Sequence, residues 1–159
     1  MTGDARVIEQ LNEALRNELT AVNQYWLHYR LLDHWGIAHL AEFERHESID
    51  EMKHADQLTE RILFLDGLPN FQVLGRLRVG ETVTEILQAD LDLELEAVAM
   101  LRDAVAHAET VRDFVSRDLF ARILANEEEH IDTLEKQFDM IERMGLENYI
   151  QLQSKPAEA

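Results

Sequence analysis

The sequence predicts an all-α fold, a four-helix bundle with a long crossover between its second and third helices and a short fifth helix at the C-terminal end. Along four long stretches, apolar residues recur at alternating steps of three and four, as in helices with one face in a core. The 159 residues include only two prolines and six glycines, so long helices are permitted. The length fits one domain, and we expect residues 1–159 to form it.

The first two helices form a hairpin. We predict the first over about Asp4–His34, ended by Gly36, and the second over about Ala38–Asp66. Residues 66–80 contain Gly, Pro and Asn and keep no helical periodicity. Fully extended, this segment reaches roughly 45 Å, enough to return along a whole helix. The second and third helices are therefore expected to run parallel.

The third and fourth helices form another hairpin. Thr82 and Glu85 have the spacing of a capping box that opens the third helix. A break at residues 109–112 leads to a fourth helix, predicted over about Asp113–Met144. Gly145 is expected to be a left-handed C-terminal cap, and a fifth helix is predicted at residues 147–153.

Polar residues interrupt the apolar stripes at matching positions in both hairpins. Each hairpin has a single Glu on its first helix and a Glu-x-x-His pair on its second. The Glu precedes the pair by 33 residues in each half, and the halves are offset by 76 residues. The six residues are Glu18, Glu51, His54, Glu94, Glu127 and His130. The pattern predicts that four carboxylates and two imidazoles meet at the middle of the bundle.

This set of side chains suits a pair of divalent cations. Four carboxylates neutralise two M²⁺ ions, and one imidazole per metal favours iron, manganese, cobalt or zinc over magnesium or calcium. Ferritin-like di-iron and di-manganese proteins hold their metals with the same arrangement. A single Glu-x-x-His pair would be weak evidence. Two pairs at matching distances inside apolar stripes predict a two-metal site.

Charge and composition exclude several other classes of function. The formal charge of −17 argues against binding to nucleic acid or to an anionic membrane surface. The absence of cysteine excludes disulfides and thiolate-ligated clusters. The N-terminus does not have the pattern of a signal peptide, and the chain has no apolar run of membrane-spanning length. We therefore expect a cytoplasmic protein.

Several sequence runs resemble bacterioferritin, the haem-containing ferritin family. They are residues 25–28 (YWLH), 46–56 (HESIDEMKHAD), 61–70 (RILFLDGLPN), 115–118 (VSRD) and 127–132 (EEEHID). The resemblance implies a 24-subunit shell that stores ferric mineral. It also implies a ferroxidase centre with two Fe ions per subunit, held by the six residues above and bridged by Glu51 and Glu127. Fe(II) would be oxidised there by O₂ or H₂O₂.

Met52 lies about 130° around its helix from the middle of the Glu51 and His54 face, so it does not share their metals. By position alone it would be an interface or surface methionine. The resemblance implies that Met52 is an axial ligand to haem b, one haem between two subunits. It also implies that a small ferredoxin reduces the stored iron through the haem.

Several other residues are candidates for a functional role, and some of them have a structural interpretation as well. His46 and Asp50 resemble an inner-surface iron site and are equally well an ordinary polar pair. Tyr25 is either a packed core residue or one that hydrogen-bonds a ligand or supplies an electron. Thr133 stands where some relatives have tryptophan, so an aromatic electron donor is not carried over to that position. Further residues resemble pore positions, fourfold for Asn148 and Gln151 and threefold for Glu109 and Asp118.

Two alternative functions stay open from the sequence. One is a soluble di-iron oxygenase or peroxidase that acts on a small molecule. The other is a haem-carrying structural subunit of a mixed shell, although such a subunit would not need all six ligands.

Overall fold

The computed structural model describes residues 1–156 and contains five α-helices within them. The helices are α1 (Ala5–His34), α2 (Ala38–Phe64), α3 (Val83–Thr110), α4 (Phe114–Met144) and α5 (Leu146–Gln153). No strand occurs in the described part of the chain. The predicted fold class is therefore confirmed. The predicted domain extends to residue 159, and its last three residues lie outside the described part.

Three helices begin at a side chain that accepts a backbone hydrogen bond. Asp4, Thr82 and Asp113 accept from the N–H groups of residues 7, 85 and 116. Each cap satisfies an N–H group that has no partner within the helix, which typically stabilises a helix by about 1 kcal/mol. Thr82 is thus the predicted cap of α3, while the Glu85 carboxylate accepts from the N–H of Glu81.

Two predicted helix ends are wrong in detail. The second helix ends at Phe64 rather than Asp66, because Asp66 has a positive φ of 62° that a right-handed helix does not accommodate. Gly145 has φ 82° but ψ 151°, so it is not a left-handed helical cap. This conformation, accessible to glycine, ends α4 and starts α5 at the next residue.

The crossover between α2 and α3 is fastened along α1. Four α1 side chains accept hydrogen bonds from its backbone N–H groups: Asn12 from Asn70, Thr20 from Gly75, Gln24 from Arg78, and His28 from Gly80. The partners advance together along both segments, so the crossover runs parallel to α1. Since α2 folds back on α1 and α3 starts where the crossover ends, α2 and α3 are parallel, as predicted.

Two apolar clusters fill the ends of the bundle. The basal core lies at the N-terminal end of α1 and includes Leu11, Leu15, Leu58, Leu101 and Phe120. The distal core lies at the other end and includes Leu32, Leu40, Leu87, Leu134 and Tyr149. Burial of each large apolar side chain contributes about 1.5–3 kcal/mol. The two clusters therefore hold the helices in register around a middle layer that contains buried polar side chains and a small apolar cluster of Ala21, Tyr25 and Leu93.

Candidate metal centre

The six residues predicted from spacing converge in the middle layer. They form two overlapping groups: Glu18, Glu51, His54 and Glu127, and Glu51, Glu94, Glu127 and His130. Within each group, one ligand atom per residue lies within 4.8 Å of all the others. All six are at most 8% exposed. Because Glu51 and Glu127 belong to both groups, their carboxylates occupy the positions of bridges between two cations.

Both imidazole rings turn the same nitrogen toward the carboxylates. His54 Nδ1 lies 3.1 Å from Glu127 Oε1 and 3.6 Å from Glu18 Oε2. His130 Nδ1 lies 3.0 Å from Glu51 Oε1 and 3.4 Å from Glu127 Oε2. The Nε2 atoms contact other residues. A metal ion at either position would therefore be bound through Nδ1.

Bound protons offset the negative charge of this carboxylate cluster. Burial alone would lower the pKa of His54, but the nearby carboxylates of Glu127 and Glu51 raise it to about 9. Burial opposes the charge on His130 as well, yet Glu127 and Glu47 hold its pKa well above the ordinary value. Burial, reinforced by the Glu127 charge, raises the pKa of Glu94. Cations entering the centre would therefore displace protons.

Several buried atoms of the centre have no hydrogen-bond partner among the described residues. They include carboxylate oxygens of Glu18, Glu51, Glu94 and Glu127 and the Nδ1 atoms of His54 and His130. An unsatisfied buried polar atom ordinarily costs about 1–3 kcal/mol, and more when it is charged. Oxygen and imidazole donors that all face one space fit two divalent cations of the transition series.

Tyr25 contacts the centre directly. Its hydroxyl donates a hydrogen bond of 2.6 Å to Glu94 Oε1, the oxygen that also lies 3.7 Å from His130 Nδ1. Burial, followed by the negative charge of Glu94, raises the pKa of Tyr25 well above its ordinary value. The phenol therefore keeps its proton and fixes the orientation of one carboxylate.

The sequence analysis missed the residues behind the two imidazoles. Glu47 Oε2 lies 2.8 Å from His130 Nε2, and the Asn126 amide nitrogen lies 3.1 Å from His54 Nε2. Neither Glu47 nor Asn126 is among the site residues predicted from the sequence. Glu47 precedes the ligand Glu51 by one helical turn and faces the same way. That spacing is a signal that would have found it.

A second buried polar cluster lies next to the centre, on the side of the distal core. His28 Nε2 accepts from the N–H of Gly80, so Nδ1 bears the hydrogen and donates to Asp90 Oδ1 at 2.9 Å. Gln24 donates to the same oxygen at 3.0 Å. Burial, and then the facing Asp90 carboxylate, raises the pKa of Glu44. Because both nitrogens of His28 are engaged, this cluster is a hydrogen-bond network that fastens the crossover.

The remaining predicted residues lie outside the buried centre. Met52 is 44% exposed on α2. His46 Nε2 lies 3.3 Å from Glu42 Oε1, whereas Asp50 is grouped with Glu47 and His130. The structure therefore places His46 and Asp50 with different partners, and their shared iron site stays a prediction.

The candidate pore residues and Thr133 make local contacts. Arg117 donates to Glu109 and to Asp118, and Asn148 donates to the Met144 carbonyl. The carbonyl of Thr133 accepts from Gln137. Gln151 is exposed on α5, and its carbonyl accepts from the N–H of Ser154. The predicted pore positions stay predictions.

Fold and site together define a ferritin-like protein, and a model of the ferritin-like domain family matches residues 8–144. Among its relatives are bacterioferritins of Brucella melitensis (51% identical over 158 residues, 99% of this chain and 98% of that protein) and Streptomyces coelicolor (53% over 150 residues, 94% and 90%). The bacterioferritin of Rhodobacter capsulatus is 46% identical over 159 residues, 100% of this chain and 99% of that protein. The chain belongs to the bacterioferritin family.

None of the described helices is both long and apolar enough to cross a bilayer.

Proposed function

We propose that this chain stores iron, and that it oxidises Fe(II) to Fe(III) at the centre formed by Glu18, Glu51, His54, Glu94, Glu127 and His130. Membership of the bacterioferritin family supports iron storage. The observation that carries the ferroxidase activity is the pair of overlapping four-residue groups that share Glu51 and Glu127. Two substrate ions held by common carboxylates can give up their electrons to one oxidant.

The residues act first by binding and by releasing protons. Two Fe(II) ions displace the protons held at His54, His130 and Glu94, and the carboxylates offset the charge of the ions. Each Fe(II) gives up one electron. The two electrons, with two protons, convert O₂ to H₂O₂ or, with H₂O₂ as the oxidant, convert it to two water molecules. Fe(III) then leaves the centre for storage as a hydrated oxide.

The storage compartment is a shell of 24 copies in this proposal, each copy one ferritin-like domain in the cytoplasm. A charge of −17 per chain attracts Fe(II) to the inner wall and pores of such a shell. Size exclusion chromatography tests assembly. A species eluting as a free bundle or dimer would contradict storage in a shell and favour the oxygenase or peroxidase alternative.

The ferroxidase proposal is tested by ligand removal. Glu94→Ala and His130→Ala each take away a ligand of one cation without removing apolar packing. We expect each variant to assemble but to oxidise Fe(II) in air more than about 10-fold more slowly. Mutation of a residue that only hydrogen-bonds a metal ligand already lowers metal affinity or activity by about 10–100-fold. Stopped-flow absorbance of ferric species measures the rate. Oxidation by the parent protein no faster than in buffer would favour the haem-carrying structural subunit.

Haem binding is proposed at Met52. Its thioether is exposed on α2, and the exposed Trp26 and Leu27 lie on α1, the helix that packs against α2. An exposed thioether is available to a haem b shared with the Met52 of a second subunit, which when bound would supply one-electron transfer to stored iron. Met52→Leu should abolish the Soret band and leave fast Fe(II) oxidation intact. A retained Soret band would contradict the assignment, and Met100→Leu on α3 is a matched control.

Two further roles are carried by the resemblance. His46 and Asp50 are proposed to bind iron at the inner surface, and a small ferredoxin is proposed to reduce stored iron through the haem. His46→Ala, at an exposed residue that lies beside Glu42 rather than beside the centre, should slow mineral growth after the first two Fe(II) per chain have been oxidised, without changing that first rapid phase. An unchanged mineral growth rate would contradict the inner-surface role.

A further inference from the structure

The two metal positions share their bridging carboxylates and differ in what surrounds them. We call Glu94 and His130 the His130 half, and Glu18 and His54 the His54 half. The offset of 76 residues pairs each residue of the first hairpin with one of the second. The pairing shows which residue would stand behind each imidazole if the centre were symmetric.

Behind His130 stands a carboxylate. Glu47, 8% exposed, places Oε2 2.8 Å from His130 Nε2, and Asp50 completes a group whose ligand atoms lie within 4.8 Å of one another. The counterpart of Glu47 beside His54 is the buried Ile123, and the counterpart of Asp50 is Asn126. His54 Nε2 therefore has a neutral amide at 3.1 Å and, among residues 1–156, no carboxylate within salt-bridge distance.

The residue next to Nε2 affects metal binding because it changes the donor strength and the orientation of the imidazole ring. An imidazole that binds a cation through Nδ1 retains a hydrogen on Nε2, which needs an acceptor. A carboxylate acceptor gives a charge-assisted hydrogen bond, orients the ring and increases its donor strength. The Asn126 amide can accept only by presenting its oxygen, and a neutral oxygen gives a weaker bond. The His130 ring is thus the stronger and better oriented ligand.

Two further features also favour tighter metal binding in the His130 half. Tyr25 fixes Glu94 with a 2.6 Å hydrogen bond, whereas its counterpart, Leu101, offers Glu18 no such donor. A cavity of about 270 Å³ adjoins His54, and its lining includes two cationic side chains, Lys53 and Arg122, and one carboxylate, Asp50. The cationic side chains outnumber the carboxylate, so the charge of the lining disfavours cations at this position.

We propose that Glu47 and Asn126 are positioning residues that make the two metal positions unequal, with the His130 half the tighter site and the His54 half the weaker, exchangeable one. The inference rests on the proposed two-metal centre and adds an order of filling to it. The first ion is held in the His130 half, and the second enters and leaves beside the cavity at His54.

Cobalt(II) binding tests the proposal without turnover. The metal-free assembled protein is titrated with Co²⁺, which is followed by its visible absorbance and by calorimetry. We expect two ions per chain in two steps whose affinities differ by about 10-fold or more. Anomalous diffraction from crystals soaked with one Co²⁺ per chain should place the first ion in the His130 half.

Two isosteric variants give opposite expectations. Glu47→Gln keeps the shape and removes the charge, so the first step should weaken by about 10–100-fold. Asn126→Asp gives His54 the carboxylate that it lacks, so the second step should strengthen by about 10-fold. A gain of affinity is not the result of a damaged fold. Gln57→Ala, which lines the same cavity, is the control and should change neither step.

Several outcomes overturn the proposal. Equal affinities, a first ion in the His54 half, or an Asn126→Asp variant that binds no more tightly would each refute the asymmetry while leaving the two-metal centre in place. Fewer than two Co²⁺ per chain at saturation would instead remove the proposed centre itself.

Discussion

The two hairpins of this chain have the same candidate metal ligands and different neighbours. Each has one Glu and one Glu-x-x-His pair at the same spacing, and all six side chains meet in the bundle. At equivalent positions, however, Tyr25 corresponds to Leu101 and Glu44 to Phe120. In the proposed centre two cations would need the same donors, which accounts for the duplicated ligand positions, whereas the neighbouring residues differ with their place in the bundle.

The residues that differ between the two hairpins are polar on one side of the centre and apolar on the other. On the side toward the distal core, the centre is bordered by polar residues: Tyr25, His28, Glu44, Glu47 and Asp90. Their counterparts toward the basal core are apolar: Leu101, Ala104, Phe120, Ile123 and Ala14. The centre therefore lies at a boundary, with a hydrogen-bond network on one side and close apolar packing on the other. The pattern predicts that substitutions on the two sides have different consequences.

The largest effect is expected where both halves depend on the same residue. Glu127→Ala and Glu51→Ala each remove a carboxylate common to both metal positions, so we expect the fast oxidation of Fe(II) to fall by more than about 100-fold. Glu128→Ala, a change at an exposed neighbour that accepts a hydrogen bond from Arg102, is the control. Loss of only half of the fast phase would mean that the two positions work independently.

Acidification should weaken metal binding at both positions. The pKa of His54 is raised to about 9 and that of His130 lies higher still, so both are protonated at pH 7 without metal. Each displaced proton lowers the apparent affinity about tenfold per pH unit below the pKa. Co²⁺ affinities measured from pH 9 down to pH 6 should therefore fall steadily. Affinities that do not change, or that rise toward acid, would contradict the protonation described.

Substitutions at equivalent positions on the two sides should lower the free energy of unfolding by different amounts. Phe120→Ala leaves a cavity in the basal core and is expected to cost about 3–5 kcal/mol. Glu44→Gln replaces a carboxyl whose raised pKa favours the neutral acid, and should cost less than about 1 kcal/mol. Thermal unfolding midpoints at one fixed chain concentration compare them. The reverse order would mean that the buried Glu44 carboxyl group holds the bundle together more than the apolar packing does.

The smallest effect is expected when a single tyrosine hydrogen bond is removed, either at the centre or in the distal region. Tyr25→Phe removes the bond to Glu94, and Tyr149→Phe removes a 2.7 Å bond to Gln137 in the distal region. Each should cost about 1 kcal/mol of stability. Only Tyr25→Phe should also lower Co²⁺ affinity, by roughly 3- to 10-fold. Equal metal affinities in the two variants would show that Tyr25 is only a packed core residue.

Much of this architecture was predictable because function and folding both act through helical periodicity. The four long helices followed from their apolar stripes, and the six ligands stood out as polar interruptions with a repeated spacing. The family resemblance agreed with both. A metal pair needs donors at fixed heights on four helices, and that requirement leaves a record in the sequence.

The residues around the centre were less predictable for a physical reason. Whether Glu44 or Asn126 faces inward depends on how far each helix is rotated against its neighbours, which spacing along one helix does not determine. The course of the crossover depends on side chains of α1, such as Thr20 and His28, that are far away in sequence. The conformation of Gly145 depends on the direction of the helix that follows it.

The stoichiometry of fast iron oxidation tests the central claim most directly. Fe(II) is added in air, in rising ratios, to the metal-free assembled protein, and the amplitude of the rapid absorbance change is recorded by stopped flow. The structure predicts that the rapid phase saturates at two Fe(II) per chain, one for each group of ligands. A rapid phase that is absent, or that saturates at one Fe(II) per chain, would contradict a two-ion centre at these six residues.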